Sequence, residues 1–285
     1  MKTSRASLVS APVMLILIPS ETFAADLAAL SPGRNEVRIE HDGHSRRLIV
    51  TTPETYRRDT SYPVLFVFHG AGGTADPMSD RWKPHVNQRG LILISAEAIR
   101  PLAKWNFKSN FHNREYDDVG LIAKVVETLV ASKVADGKAV YATGHSSGGL
   151  FTYRLAKETD LFAAVSPMSC GMAKGAHDPQ ETTKPIPILQ VIGDVDKSFN
   201  GSIEPKVTMY SAEERIEVWR TFNQCRPDPV VVEHGEELLV STYTCPSGIE
   251  VALCEAKAQG HHLRRDLRDR ADSIALDFLL RHRKR

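Results

Sequence analysis

The stretch Gly144-His145-Ser146-Ser147-Gly148 places a serine between two glycines directly after an apolar run. It matches the pattern G-x-S-x-G, in which a strand ends in a sharp turn and a helix follows. Glycine at both flanking positions avoids side-chain collisions with the neighbouring strand and helix. Such a turn exposes Ser146 Oγ at a helix N-terminus, where the backbone N–H of Ser147 faces an oxyanion formed on attack. The spacing therefore predicts a nucleophilic serine rather than an ordinary glycine-rich turn.

A nucleophilic serine needs partners, and the chain offers two candidates for each partner. An unactivated hydroxyl is a poor nucleophile, so a histidine must take its proton and a carboxylate must orient that histidine. Both partners follow the serine along the chain in hydrolases with this turn. The candidate acids are Asp194 and Asp196, and the candidate bases are His261 and His262. The residues alone leave both pairs open, and we expect most other histidines to lie at the surface.

A second glycine-rich loop, His69-Gly70-Ala71-Gly72-Gly73, follows the apolar run at residues 64–68. Loops of this H-G-G-G type donate a backbone N–H to the oxyanion in esterases and lipases. We assign that donor to Ala71, so that Ala71 and Ser147 together form the predicted oxyanion hole. A tight turn that uses glycine for positive φ is compatible with the same loop.

The elements that must position these residues alternate between strands and helices. An Asp42-Gly43 turn joins a predicted hairpin of residues 36–40 and 46–51. Further strands are predicted at 64–68, 91–95, 139–142, 162–166, 186–192, 238–244 and 249–255, and helices at 117–132, 147–157, 209–223 and 271–282. This alternation predicts an α/β fold with a mostly parallel, doubly wound sheet and helices on both faces. Ligands bind at the carboxyl ends of the strands in such a sheet, where both glycine-rich loops fall.

Composition limits the classes of protein that the chain can represent. Its 285 residues, 42% of them hydrophobic, are enough for one large core, and we expect a single catalytic domain at residues 25–285. Lys plus Arg (36) nearly balances Asp plus Glu (35), which argues against nucleic acid or a membrane surface as a partner. No C-x-x-C pair occurs, so we expect no metal site, and the predicted chemistry requires no cofactor.

The N-terminus predicts export. Lys2 and Arg5 precede an apolar stretch at residues 8–18, and Pro19 and Ser20 end it before an A-x-A-like cleavage site at Thr22-Phe23-Ala24. This is the pattern of a secretory signal peptide, whereas a membrane span needs about 20 apolar residues. We therefore expect residues 1–24 to be removed and the mature protein to be secreted or periplasmic, with no membrane association. Export makes Cys170, Cys225, Cys245 and Cys254 candidates for disulfides, with three possible pairings.

Beyond these single features, the chain resembles the secreted α/β-hydrolase esterases grouped as polyhydroxybutyrate depolymerase-like, with feruloyl and acetylxylan esterases as close relatives. The similarity runs from about residue 43 to residue 261. It rests on the stretches GHSRRLIVTTPETY, YPVLFVFHGAGGTA, WN at residues 105–106, DDVGLI and GHSSGGLFTYRLA. The resemblance implies the α/β-hydrolase fold and a Ser-His-Asp esterase.

The resemblance also implies a choice within each pair of candidates. The family's acid ends a segment of the type H-G-T-A-D, which falls here on IGDVD and favours Asp196 over Asp194. The family's histidine follows a glycine, which favours His261 over His262. Relatives have a tryptophan and a proline beside that histidine, whereas this chain has His262-Leu263-Arg264, which implies a changed wall of the acyl pocket.

A disulfide is implied in the same way. The family tends to have one cysteine after a helix tryptophan and another in the late hairpin, positions that Cys225 and Cys245 occupy here. We expect these two residues to be bonded. Cys170 and Cys254 are then expected to be buried free thiols.

The sequence is compatible with three functions. The leading hypothesis is a secreted serine carboxylic-ester hydrolase that acts on feruloyl, acetyl or short hydroxyalkanoate esters, in a small molecule, an oligomer or a polysaccharide-linked acyl group. No separate polymer-binding module is visible in the sequence, which favours a soluble ester or oligomer. A peptidase of the same fold usually needs a propeller or a large lid, and an inactive binding protein would lack one of the three catalytic residue types.

Overall fold

The computed structural model describes residues 26–27, 29–100, 103–108, 116–204 and 207–285. The predicted signal peptide, residues 1–24, lies outside these ranges. A ten-stranded sheet forms the centre of the described part, in the order β1-β2-β4-β3-β5-β6-β7-β12-β11-β10. Its five central pairings, from β4-β3 to β7-β12, are parallel, and the strands at both edges pair antiparallel.

The strands follow the predicted order along the chain. Those of the large sheet are β1 (Gly33–His41), β2 (His44–Thr52), β3 (Tyr62–Phe68), β4 (Ile92–Ala96), β5 (Ala135–His145), β6 (Ala164–Met168), β7 (Ile188–Gly193), β10 (Val230–His234), β11 (Leu238–Thr244) and β12 (Glu250–Ala256). A separate small hairpin consists of β8 (Ser202–Glu204) and β9 (Val207–Met209). The turn predicted between β1 and β2 is present, with Asp42 and Gly43 at positive φ.

Helices cover both faces of the sheet and bury two hydrophobic layers. They are α1 (Ala75–Arg89), α2 (Asp118–Ala131), α3 (Ser147–Glu158), α4 (Ala212–Phe222) and α5 (Arg265–Leu280). Buried side chains of α2, α3 and α4 pack on one face, and those of α1 and α5 pack on the other. In the part of the chain that the structure describes, no helix is long and apolar enough to cross a membrane.

Two helices differ from the sequence analysis. Helix α1 was not predicted, because its sequence is polar and contains Pro84, yet Trp82 anchors it with a fully buried ring. Helix α5 begins at Arg265, six residues before the predicted start at residue 271, since the first turn is rich in charged side chains and lacks an apolar repeat. Both helices flank the site described below.

A disulfide joins Cys225, just after α4, to Cys245, just after β11. This is the pairing that the family resemblance implies. Cys170 and Cys254 are free and buried, and burial raises the pKa of each thiol to about 12. Both therefore stay protonated at neutral pH.

Reduction of the Cys225–Cys245 bond is expected to lower stability by about 3 kcal/mol, because the bond closes a loop over a sequence separation of 20 residues. Thermal unfolding with and without reductant measures the effect. A Cys225→Ser/Cys245→Ser variant serves as the control, since its unfolding temperature should already be low and should not respond to reductant. An equal response of wild type and variant would contradict the assignment.

Candidate active site

The elbow between β5 and α3 holds Ser146 in a strained backbone conformation. Its φ of 55° and ψ of −116° are rare for a residue with a side chain and cost on the order of 1 to 3 kcal/mol. The surrounding structure fixes this geometry, since Ser146 N–H donates to Met168 O at 3.0 Å. A serine held in this way at a strand-to-helix turn is the geometry expected of a nucleophile.

The two glycines of the elbow are required by close backbone approaches. A Cβ at Gly144 would lie 2.4 Å from Gly148 O, and a Cβ at Gly148 would lie 2.3 Å from Phe68 O. Neither contact can relax without moving main chain. The pattern G-x-S-x-G is therefore explained by packing between β3, β5 and α3.

An acid and an imidazole meet at the carboxyl ends of the neighbouring strands. The Asp196 carboxylate lies in the loop after β7, and its Oδ2 is 2.8 Å from His261 Nδ1 in the loop after β12. Asp196 Oδ1 accepts two further bonds, from the N–H and the hydroxyl of Ser198, both at 2.8 Å. The Asp196 side chain is fully buried, whereas 37% of the His261 side chain is exposed.

The environment of Asp196 favours its ionised form. Burial raises the pKa of the carboxyl, but the hydrogen bonds from His261 and Ser198 outweigh burial and lower the pKa to about 2. The carboxylate is therefore charged at neutral pH and accepts a hydrogen bond from His261 Nδ1–H. This bond leaves Nε2 of His261 as the ring nitrogen available for proton transfer.

The other members of the two candidate pairs do not form such a contact. Asp194 donates its N–H to Ala256 O at 3.1 Å, and its buried Oδ1 has no hydrogen-bond partner in the described residues. The His262 ring is exposed and stacks on His145, with centroids 5.1 Å apart and planes 16° apart. The structure thus brings Asp196 and His261 together and leaves Asp194 and His262 outside the pair.

His145 connects the elbow to the loop that carries His261. Its Nε2 lies 3.1 Å from His261 O, and the two rings have centroids 5.0 Å apart. Burial lowers the pKa of His145 to about 4, so the ring is neutral at neutral pH and Nε2–H donates to the carbonyl. No hydrogen bond between Ser146 Oγ and His261 occurs in the described residues; such bonds often tighten only when substrate binds.

The predicted oxyanion loop lies against the elbow. A Cβ at Gly70 would be 3.4 Å from both Ser146 Cβ and His145 Nδ1. Ala71 is exposed, and in the described backbone no carbonyl accepts from its N–H. Ser147 is the first residue of α3, where a helix leaves its N–H without an intrahelical acceptor. Both assigned donors are therefore free to bind an oxyanion.

Several histidines contradict the expectation of surface positions. His69 is buried and fixes the oxyanion loop: it accepts from Ala98 N–H at 3.0 Å through Nε2 and donates to Gly70 O at 2.7 Å through Nδ1. His177 is fully buried, and His145 is half-buried. Surface placement was wrong for these three because each finds a backbone partner that compensates for burial.

Arg215 on α4 holds the acid loop in place, a role that sequence reasoning missed. Its guanidinium is fully buried and donates to three backbone carbonyls, those of Tyr210, Cys170 and Ser198. Ser198 in turn donates to Asp196. A capping box formed by Ser211 and Glu214 begins the helix that carries this arginine, and its S-x-x-E spacing is a signal in the sequence that could have located the helix start.

No metal site accompanies these groups in the described ranges: no three or more His, Cys, Asp or Glu side chains lie where they could hold an ion.

Comparison with known proteins finds similarity to esterases. No protein-family model matches the sequence. Feruloyl esterase B of Piromyces equi is 26% identical over 230 residues, which cover 76% of this chain and 42% of that protein. The chain thus spans less than half the length of this curated relative.

Solved structures share the fold. An acetyl xylan esterase from Aspergillus awamori superposes with a TM-score of 0.62 and 16% identity, covering 86% of this chain and 99% of its own. A poly(3-hydroxybutyrate) depolymerase from Bordetella parapertussis superposes with a TM-score of 0.64 and 18% identity, and the match covers 91% of this chain and 96% of the depolymerase chain. The predicted α/β-hydrolase fold is confirmed, and so is the resemblance to esterases of the polyhydroxybutyrate depolymerase and feruloyl esterase type.

Proposed function

We propose that this chain, related to feruloyl esterases and polyhydroxybutyrate depolymerase-like esterases, is a serine carboxylic-ester hydrolase. The observation that carries the proposal is the buried Asp196 carboxylate at 2.8 Å from His261, beside an elbow that holds Ser146 at positive φ. A serine, an acid and an imidazole that follow β5, β7 and β12 of the same sheet are the parts that acyl transfer requires.

In the proposed mechanism Ser146 Oγ attacks the ester carbonyl while His261 Nε2 takes the hydroxyl proton. Asp196 holds the imidazole tautomer and stabilises the imidazolium that forms. The proton then passes to the leaving alcohol, and an acyl-enzyme on Ser146 remains. Water, activated by the same histidine, hydrolyses the acyl-enzyme and returns the serine.

Two backbone N–H groups are proposed to stabilise the negative charge that develops on the carbonyl oxygen. The N–H of Ser147 lies at the positive end of α3, and the N–H of Ala71 lies on the glycine-rich loop. Losing one such donor costs on the order of 10² to 10³ in kcat in other hydrolases. The rigid hydrogen bonds of His69 keep this loop in place before substrate arrives.

Feruloyl, acetyl and short hydroxyalkanoate esters are the proposed substrates, in small molecules, oligomers or polysaccharide-linked acyl groups. The names of the relatives support this range. We also propose a secreted or periplasmic location with residues 1–24 removed, which the Cys225–Cys245 bond supports because disulfides persist in oxidising compartments.

A substrate panel tests the activity. Purified protein is assayed on p-nitrophenyl acetate and butyrate, methyl ferulate, acetylated xylan and hydroxybutyrate oligomers, with a p-nitroanilide peptide for the alternative of a peptidase. We expect turnover of at least one ester class and none of the anilide. Absence of turnover on every ester would contradict the proposal and favour a binding protein with a hydrolase fold.

His145 is expected to be a positioning residue for the base. His145→Leu removes the donor to His261 O and should lower kcat about 10-fold to 100-fold with little change in KM, because small displacements of a catalytic group cost this much. His145→Gln can place an amide N–H near the same carbonyl and should recover most of the loss. Equal effects of Leu and Gln, or a loss confined to thermal stability, would contradict this role.

A further inference from the structure

A cavity of about 290 Å³ adjoins the elbow on the face of the sheet that α1 and α5 cover. Its volume is near the lower end for small-molecule sites, about 300 to 1,000 Å³. His145 and His262, the sequence neighbours of the proposed nucleophile and base, line the side next to the reaction centre. Ser146, Asp196 and His261 do not line it, so the cavity adjoins the reaction centre without being part of it.

The ionisable lining is basic. Arg81 from α1 and Arg268 from α5 line the cavity together with the two histidines, and no Asp or Glu does so among the described residues. Both arginines have carboxylate partners outside the lining: Arg81 binds Asp272 through Nε and Nη2, and Arg268 binds Asp269. The buried Asp272 carboxylate holds the Arg81 guanidinium in a fixed orientation, whereas the Arg268–Asp269 pair is exposed to solvent.

Each of the two guanidinium groups has hydrogen-bond donors that a ligand can use. In the described part of the chain, Nη1 of Arg81 and Nη1 of Arg268 have no hydrogen-bond partner. The Asp272 side chain is 1% exposed, so it neutralises Arg81 from the protein interior and leaves the cavity side open. An arginine fixed in this way is suited to bind a second carboxylate.

An unsatisfied hydroxyl also lines the cavity. Ser169 follows β6 with a φ of 44°, is 1% exposed, and its Oγ has no hydrogen-bond partner in the described residues. A buried hydroxyl without a partner is costly to a fold. An acceptor oxygen of a ligand in the cavity would satisfy it.

The remaining walls are apolar. Met78, Met168 and Val191 contribute side chains that can contact an aliphatic chain. The lining therefore combines guanidinium and hydroxyl donors with an apolar surface, which fits a short aliphatic segment that ends in an acceptor-only, negatively charged group.

We propose that this cavity binds a carboxylate carried by the ester substrate, so that the protein prefers esters whose acyl or alcohol part ends in a free carboxylate. The inference rests on the proposed hydrolase function and narrows its substrates. Among the ester classes above, oligoesters of hydroxy acids have this chemistry, because one end of each oligomer is a free carboxylate.

The test compares a substrate that ends in a free carboxylate with one that ends in a neutral ester: the mono-p-nitrophenyl ester of glutaric acid and the same compound with its free carboxyl methylated. We expect kcat/KM of the wild type to be about tenfold or more higher for the charged ester. The ratio should fall toward one in Arg268→Gln and in Arg81→Gln/Asp272→Asn, which removes the ion pair as a unit. Ser169→Ala should lower it by a smaller factor, about threefold, because a neutral hydrogen bond is weaker.

Arg265→Gln is the matched control, since it removes the same charge from the same turn of α5 at an exposed position that does not line the cavity. Its ratio should equal that of wild type. A wild-type ratio near one, or equal ratios in Arg268→Gln and Arg265→Gln, would overturn the proposal while leaving ester hydrolysis intact.

Binding of free glutarate, measured by calorimetry, separates this proposal from the hydrolase function. We expect wild type to bind glutarate and Arg268→Gln to bind it about tenfold more weakly. If glutarate binds in this way but neither ester is hydrolysed, the hydrolase proposal fails and the cavity assignment stands. If glutarate does not bind, the cavity assignment is wrong.

Discussion

Ser146→Ala should reduce kcat/KM for a p-nitrophenyl ester by more than about 10⁴-fold, because no other group can form the acyl-enzyme. The oxyanion donors of Ala71 and Ser147 remain, so residual catalysis of about 10³-fold over water can persist. Removing the hydroxyl should leave the fold intact, since the elbow is fixed by main-chain contacts rather than by the side chain.

The measurement is a progress curve at high enzyme concentration, combined with thermal unfolding to show that the variant folds. Ser61→Ala is a matched control, because it deletes an exposed hydroxyl that donates to Lys133 O, far along the chain from the elbow. Full turnover in Ser146→Ala would end the serine-hydrolase account.

Substitutions at the two candidate acids and at the two candidate histidines should differ strongly in their effect on kcat. Asp196→Asn should cut kcat by up to about 10⁴-fold, because the amide favours the wrong imidazole tautomer and cannot balance the imidazolium. His261→Ala should approach the activity of Ser146→Ala. Asp194→Asn should cost far less, since the Asp194 carboxylate binds no histidine in the described residues.

His262→Ala provides the comparison for the base. The His262 ring is exposed and lines the adjoining cavity, so its loss should mainly alter substrate preference. Steady-state kinetics of the four variants on one neutral ester and one charged ester show which acid and which histidine are needed for turnover. If Asp194→Asn and His262→Ala were the inactive variants, the esterase proposal would survive and the assignment of its residues would be wrong.

The elements nearest the chemistry could be predicted because each is dictated locally. A buried parallel strand has a continuous apolar sequence, as β3 does. Glycine is required in the elbow because a Cβ there would lie 2.3 or 2.4 Å from a backbone oxygen. The nucleophile, the acid and the base each follow a parallel strand, and the carboxyl ends of parallel strands lie at the same edge of the sheet.

What the sequence left open depends on contacts between distant segments. Asp194 and Asp196 are two residues apart, and only the turn after β7 decides that Asp196 reaches His261. The bond from His145 to His261 O spans 116 positions, and Arg215 reaches the acid loop from α4. Helix α1 went unpredicted because its stability comes from burying Trp82 against the sheet rather than from an apolar repeat.

If Ser146 is the nucleophile, a reagent that reacts with activated serines should modify Ser146 covalently. Wild-type protein is treated with a fluorophosphonate probe, digested, and the modified residue is located by tandem mass spectrometry. We expect a single adduct on Ser146, formed at a rate that falls sharply in His261→Ala and Asp196→Asn. An adduct on another serine, or no adduct on a protein that hydrolyses esters, would contradict it.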